Sequence, residues 1–526
     1  MDRPSSRYQL MLTALGEAQP YPHPADKIVH LSTHISDIFL AGSYAYKVKK
    51  PINLGFLDFT TLSRRQRACE DEVHLNRRLA PQIYLGVVPI HERQGRWIVG
   101  NVTDSADGKA TDYGVKMIRL PQEGMLDRVA TSAQLERTQM RNIARQLARF
   151  HAVAERGPHI DHHGSLNNIS DRVRQNLAET EPYIGRTISQ TQFTRIRSYT
   201  EHFLQDNASV FSERVRAGRI VDGHGDLHLG NMCLYNDDVV IFDCIEFSQD
   251  FRAGDAIGDV AFLTMDLDAL AQSQFGNCFI NDYLQRTDDY EGLIVLDFYQ
   301  AYRACVRGKV LSLLQDSQKQ LAQQGVAEDK ALRYFELAES YATGRTGGLL
   351  ITCGPSASGK TTAALHIAES IGGIVIRSDA VRKHLAGVPL EQSRTARYGE
   401  GLYNADMTAR TYQGLLQRAR PVLESGRWAI LDATYLRRAQ RRQVATLASA
   451  LKSPFGIIRC IAPTHELEQR LDRRSHTGQD ISDATHAVLQ HQLHELQEPG
   501  SDEADVFRWT GNEDPEFWIS RLAPRV

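Results

Sequence analysis

The stretch HGDLHLGN at residues 224–231 places three chemically able groups, His224, Asp226 and His228, at alternate positions. Alternate residues of an extended segment point to one side, so the three could converge on a cation. A metal hydrolase would need further His and carboxylate ligands at ligating spacing. The remaining candidate, His159 with His162 and His163, falls in a loop bounded by Gly and Pro and reads as exposed polar residues. Phosphoryl transfer suits the motif better. It needs a carboxylate beside the attacking hydroxyl, and oxygen ligands for a Mg²⁺ that bridges the phosphates. The spacing H-x-D-x-x-x-x-N supplies Asp226 as base and Asn231 as metal ligand, and Asp243 in VVIFDCIEF supplies a second metal carboxylate. A lysine held by a helix glutamate should meet the α- and β-phosphates. Lys47 and Lys49 in AYKVKK share one side of a strand, and Glu72 lies on the helix that follows.

A second stretch, GPSASGKTT at 354–362, handles phosphate in another way. Gly354, Pro355, Ser356, Ala357, Ser358, Gly359, Lys360, Thr361 and Thr362 follow an apolar strand and open a helix. In that context backbone N–H groups and the helix N-terminus face the anion. Lys360 is expected on the β- and γ-phosphates, and Thr361 on Mg²⁺. Asp379, after the next strand, is placed to accept a proton from a substrate hydroxyl. Asp432 ends a third strand, where it could hold Mg²⁺ or substrate. Arg470, Arg473 and Arg474 fall at i, i+3 and i+4, before a Gly-containing segment, and could neutralise charge as the phosphoryl group moves.

The elements that must position these groups divide the chain in two. Its 526 residues exceed one ordinary core. Residues 28–120 read as a strand-rich small lobe with one helix near 64–80, its Val73, Leu75 and Leu79 turned inward. Residues 121–342 read as a mainly helical large lobe, interrupted by the polar motif and by a buried strand at 239–247. TGRTGG at 343–348 marks a boundary, and 343–526 alternates strand and helix as a parallel sheet requires. The domains expected are therefore 1–342 and 343–526.

The net charge of −3 argues against tight, nonspecific nucleic-acid binding but leaves room for a local basic groove, and Tyr403, Tyr412 and Trp428 are the aromatics a stacking channel would use. No apolar run spans a membrane and no secretory signal core opens the chain. The seven cysteines form no CxxC pair, as expected of reduced core thiols in a cytoplasmic protein. The residues leave the oligomeric state open.

On HGDLHLGN and IFDCIEF, residues 28–310 resemble the aminoglycoside phosphotransferase family, a branch of the protein-kinase-like fold. The resemblance implies an α+β bilobal kinase-like fold, Asp226 as catalytic base, and Asn231 and Asp243 on Mg²⁺. It makes Lys47 the better phosphate lysine with Glu72 its partner, keeps Lys49 as the rival, and makes His224 a brace. Gly254-Asp255 and Asp259-Val260-Ala261 fit that family's later elements. There is no G-x-G-x-x-G ahead of the lysine, and Cys-Ile-Glu follows Asp243 in place of Phe-Gly. Residues 348–500 are similar to P-loop kinases of the gluconate kinase, polynucleotide kinase and zeta-toxin type, on the phosphate loop, SDAVR, LDAT and the Arg-rich segment before SDAT. The expectation is a two-domain ATP- and Mg²⁺-dependent phosphotransferase acting on a hydroxyl of small polar molecules. Its rivals are a regulatory nucleotide-binding role for one domain, and a polynucleotide-kinase-like or zeta-toxin-like P-loop half. On the helix near 298–314, Arg303, Arg307 and Lys309 are equally read as a substrate-facing or a surface stripe.

Overall fold

A computed structural model describes residues 6–55, 57–104, 110–317, 321–392, 404–477, 486–511 and 513–522. It separates into two compact units. One comprises residues 1–173 and 207–266, the other residues 174–206 and 267–526.

In the first unit, β1 (Ile28–Ser32), β2 (Ser36–Ala41), β3 (Tyr44–Lys49), β4 (Tyr84–Arg93), β5 (Arg96–Val99) and β6 (Asp112–Ile118) form one antiparallel sheet, ordered β1-β2-β3-β6-β4-β5. Strand period decides what β3 does. Tyr46 and Val48 join Phe39, Val88, Ile90 and Trp97 in a core on one face. Lys47 and Lys49 project from the other, where the helix Leu62–Asn76 packs on the sheet. That helix buries Cys69, Glu72, Val73 and Asn76, at i, i+3, i+4 and i+7, so a carboxylate and an amide sit inside its apolar stripe. Leu75 and Leu79, expected inward, are only partly buried, because Glu72 and Asn76 take the central positions.

The rest of this unit frames the HGDLHLGN loop. The helix Arg137–Val153 starts in a capping box of Glu136 with Gln139 and buries Met140, Ile143, Ala144, Leu147 and Phe150. β7 (Ile220–Asp222) leads into HGDLHLGN. β8 (Met232–Tyr235) and β9 (Asp238–Ile241) follow it as a hairpin whose turn residues, Asn236 and Asp237, have φ of 51° and 61°, as a tight primed turn demands. β10 (Ala253–Asp255) pairs with β7. The strand expected over 239–247 stops at Ile241, because Asp243 takes φ 61° and turns the chain out of the sheet.

In the second unit, β11 (Leu349–Cys353), β12 (Ile374–Arg377), β13 (Ala429–Asp432), β14 (Phe455–Cys460) and β15 (Asp505–Trp509) form a wholly parallel sheet, ordered β12-β13-β11-β14-β15. The expected fold classes therefore stand: an α+β kinase-like region and an α/β P-loop domain. Compactness does not follow the expected chain boundary, since the helices Ser273–Thr287, Leu293–Ser317 and Leu321–Tyr341 group with this sheet. The reason is visible at edge strand β12. Asn281 donates from Nδ2 to Gly373 O at 3.0 Å and accepts from Val375 N at 2.7 Å, and Asn277 also donates to Gly373 O. An amide side chain thus supplies the pairing an edge strand lacks. Arg418 pairs with Asp288, and Arg427 and Arg345 share Asp297. Lys309 is bound to Glu179, and Arg307 lies over Tyr334.

Asn281→Ala leaves the buried Val375 N–H of β12 unmet, while Gly373 O keeps its bond from Asn277. It should cost about 1–3 kcal/mol, read as a lower urea midpoint with an unchanged slope.

Candidate active sites

The first site is a buried network of charge. Lys47 Nζ lies 2.8 Å from Glu72 Oε1 and 2.6 Å from Asp243 Oδ1. Lys49 Nζ lies 2.5 Å from Glu72 Oε2 and also pairs with Glu246. Lys49 and Glu72 are wholly buried, whereas the Asp243 side chain is 41% exposed. Burial alone would push the Glu72 carboxyl up; the two ammonium groups outweigh it and hold it below the usual carboxylate range. Burial dominates at Glu246 and raises its carboxyl, against the pull of Lys49. Lys47 stays protonated because Asp243 and Glu72 overcome its desolvation. The two lysines are therefore not equivalent. Only Lys47 reaches the partly exposed Asp243, while Lys49 is enclosed between two carboxylates. Sequence reasoning missed Glu246. Its signal was a carboxylate inside an otherwise apolar segment, three residues after Asp243.

The loop HGDLHLGN is held from beneath. His224 is fully buried. Its N–H donates to Asp259 Oδ2 at 2.8 Å, its Nδ1 accepts from Asp226 N, and its Nε2 lies 3.0 Å from Phe242 O. That pattern is met by a neutral ring protonated on Nε2, and burial lowers its pKa accordingly. Gly225 has φ 82°, and a Cβ there would meet Phe251 O at 2.8 Å, so only glycine fits. Gly225 N donates to Asp259 Oδ1, and His151 Nε2 lies 3.1 Å from Asp259 Oδ2. Burial would raise the Asp259 carboxyl, but His151 and His224 bring it down to about 2. Leu229 N is received by Asp266. Asp255 is bound by buried Arg214.

On the open side, Asn231 Nδ2 donates to Asp226 O at 3.0 Å and Asp226 Oδ2 at 2.9 Å. Its Oδ1 is then the atom it offers a cation. With Asp243 this makes a hard-oxygen donor set that suits Mg²⁺. His228 Nε2 stands 3.4 Å from Asp226 Oδ2.

The second site lies at the end of the parallel sheet. Gly354 has φ 154°, and a Cβ would meet Cys460 O at 2.7 Å; Gly359 has φ 89°. Ala357 also takes a positive φ, 64°. Lys360 Nζ donates to Pro355 O at 2.7 Å. Thr361 Oγ1 donates to Asp432 Oδ2 at 2.7 Å, bringing the phosphate loop to the tip of β13. Hydroxyl and carboxylate together are again hard oxygen donors. Arg382 binds Asp379 at 3.1 Å. Ser356, Lys360, Thr361, Asp379 and Asp432 line one cavity of about 770 Å³. Arg377, Arg437, Gln440, Gln443 and Glu495 complete its wall, and sequence reasoning had not singled them out. Ser358 is buried, and Thr362 faces solvent.

The three expected arginines separate. Arg470 donates to Ala357 O at 3.3 Å and so reaches the phosphate loop, while Arg473 is exposed. The Arg474 side chain and residues 478–485, with SDAT, lie outside the described residues, as does Tyr403. Trp428 belongs to the domain core, and Tyr412, its Oη hydrogen-bonded to Thr434, lines the cavity.

The chain matches the Phosphotransferase enzyme family over residues 56–296 and the AAA domain over 349–499. Curated relatives from Mycobacterium tuberculosis and Mycobacterium bovis, each named as an uncharacterized protein, are 33% identical over 457 residues, or 87% of this chain and 88% of theirs. A choline/ethanolamine kinase family protein from Mesorhizobium loti is 9% identical at TM-score 0.36, covering 63% of this chain and 99% of that one. A gluconokinase from Sinorhizobium meliloti is 21% identical at TM-score 0.23, covering 34% and 91%.

Two outcomes follow from this geometry. Lys49→Met strands the buried Glu246 carboxylate, Glu72 keeping Lys47, and should destabilise the fold by roughly 3–5 kcal/mol, whereas Lys47→Met leaves Glu72 its Lys49 partner and frees only the partly exposed Asp243, so it should cost clearly less in chemical denaturation. Asp259, its carboxyl lowered in the fold, contributes stability that is complete above the ordinary carboxylate pKa of ~4. That contribution is lost as pH falls toward about 2. Asp259→Asn should therefore flatten the pH dependence of stability in that window.

Proposed function

The chain belongs to the same family as these mycobacterial proteins and carries two kinase-type domains, and from that premise we propose that it is a bifunctional ATP- and Mg²⁺-dependent small-molecule kinase. The first domain phosphorylates a hydroxyl of a small polar acceptor, and the second is a separate P-loop kinase. The observation that carries the reading is Lys47 joined at once to Glu72 and Asp243, the arrangement a nucleotide phosphate site requires. The linear boundary near 343 belongs to this reading, since the two family matches end at 296 and begin at 349.

In the first site the acceptor hydroxyl gives its proton to Asp226 while its oxygen bonds the γ-phosphorus. The bond from that phosphorus to the β–γ bridging oxygen breaks, and ADP leaves. Glu72 holds Lys47 in place while the ammonium turns from Asp243 to the nucleotide phosphates. Asn231 keeps the Asp226 carboxylate aimed at the hydroxyl, and His224 keeps the loop in register. In the second site Lys360 meets the β- and γ-phosphates, Asp379 takes the acceptor proton, and Arg470 approaches the transferring group. Magnesium, held by Asn231 and Asp243 in one site and by Thr361 and Asp432 in the other, would supply charge neutralisation on the phosphates. The second cavity's size and its Arg, Gln and Glu lining favour a small, hydrogen-bonding acceptor.

A cytoplasmic setting is part of the proposal. All seven cysteines are buried free thiols, and among the described residues no helix is long and apolar enough to cross a membrane.

With γ-labelled ATP, Mg²⁺ and a small-metabolite extract, wild type should give two labelled products. Asp226→Ala should remove one and Lys360→Ala the other. A single mutation that abolishes both would overturn the independent-site reading.

A further inference from the structure

Behind the first catalytic loop lie three donor groups that phosphoryl transfer does not use. His162 and His163 sit on the short turn His162–Gly164, and Asp250 on the helical turn Gln249–Arg252. Ligand atoms from all three lie within 4.8 Å of one another. The sequence places these histidines among exposed loop residues, but His163 is only 2% exposed. The cause is Gly164, which packs so closely on Ile220 that a Cβ there would meet Ile220 Cδ1 at 2.3 Å.

The His163 ring is buried in an unusual way. Its Nδ1 stands 3.1 Å from Asp250 Oδ1 without hydrogen-bond geometry, and neither ring nitrogen has a hydrogen-bond partner among the described residues. Buried polar atoms of this kind call for an explanation. The His162 ring lies alongside, 3.7 Å between centroids, and opens to solvent. Arg172 does not occupy the donors. Its guanidinium binds the backbone oxygens of Asp250, Ala253 and His163, and so ties the same two turns together.

We propose that His162, His163 and Asp250 bind a divalent transition-metal cation of the zinc type. Two imidazoles and one carboxylate suit a borderline cation and disfavour Mg²⁺ or Ca²⁺. Three protein ligands leave a position for water, and the exposed His162 and Asp250 give an entry path. The site braces the catalytic loop and takes no part in its chemistry. Asp250 continues into Phe251 and Arg252, whose backbone lies against Gly225. Arg252 in turn binds Asp222 and Ile245 O, on both sides of HGDLHLGN. A cation here pins that backing in place.

The test uses the full chain, stripped with chelator and carrying Asp243→Asn to weaken cation binding at the phosphotransfer site. Titration with Co²⁺ should give the visible bands of a nitrogen- and oxygen-ligated ion. Zn²⁺ at micromolar concentration should be retained through gel filtration at about one equivalent and should raise the melting temperature. His162→Ala and Asp250→Asn, both at the rim so that the fold is spared, should each weaken binding by at least roughly tenfold. His159→Ala, whose ring is already paired with Glu155, should bind as before. No retained Zn²⁺, or an equivalent that survives the His162→Ala/Asp250→Asn double variant, would overturn the proposal.

Discussion

The first site depends on burying Lys47 and Lys49 together with Glu72 and Glu246 inside the protein. Taking such groups out of water costs several kcal/mol each, and attraction offsets this only when the geometry is good. The chain meets the condition by alternation: β3 delivers Lys47 and Lys49 to one face, and Glu72 bridges both. Glu246 closes the far end on Lys49. What remains is one ammonium, on Lys47, with a carboxylate partner near solvent. The buried cluster thereby sets the position of the Lys47 ammonium.

The catalytic loop shows the same economy with hydrogen bonds. One buried carboxylate, Asp259, receives two successive backbone N–H groups and a histidine. It fixes the start of the loop, and Asp266 fixes its middle. The glycine between His224 and Asp226 is required by the approach of Phe251, so the backbone there has one conformation open to it. Asp226 lies partly exposed on a loop whose anchors are buried.

In the P-loop region the corresponding constraint is the edge of a sheet. β12 carries Arg377 at its end and leads directly into Ser378 and Asp379, which line the cavity. An edge strand has no neighbour to hold it. Here Asn277 and Asn281, on a helix that precedes the sheet in the chain, supply the missing bonds. The wall of the cavity at Arg377, Ser378 and Asp379 is therefore set by residues far from it in sequence.

Local pattern alone determined much of this protein. The H-x-D-x-x-x-x-N spacing, the phosphate loop between strand and helix, the period-two lysines and the alternation of strand and helix after 348 were all legible, because each is a short-range consequence of backbone geometry. The cysteine spacing was legible as well, since all seven are buried free thiols. The tertiary structure decided what depends on burial between distant segments. It separated Lys47 from Lys49 by what each touches, brought in Glu246, and ended the expected strand at Asp243. It joined Thr361 to Asp432, sent Trp428 to the core, and turned His163 from a loop residue into a buried one. Periodicity says which face a side chain takes; only packing says what waits on that face, and the charge state of a buried group follows from that neighbour.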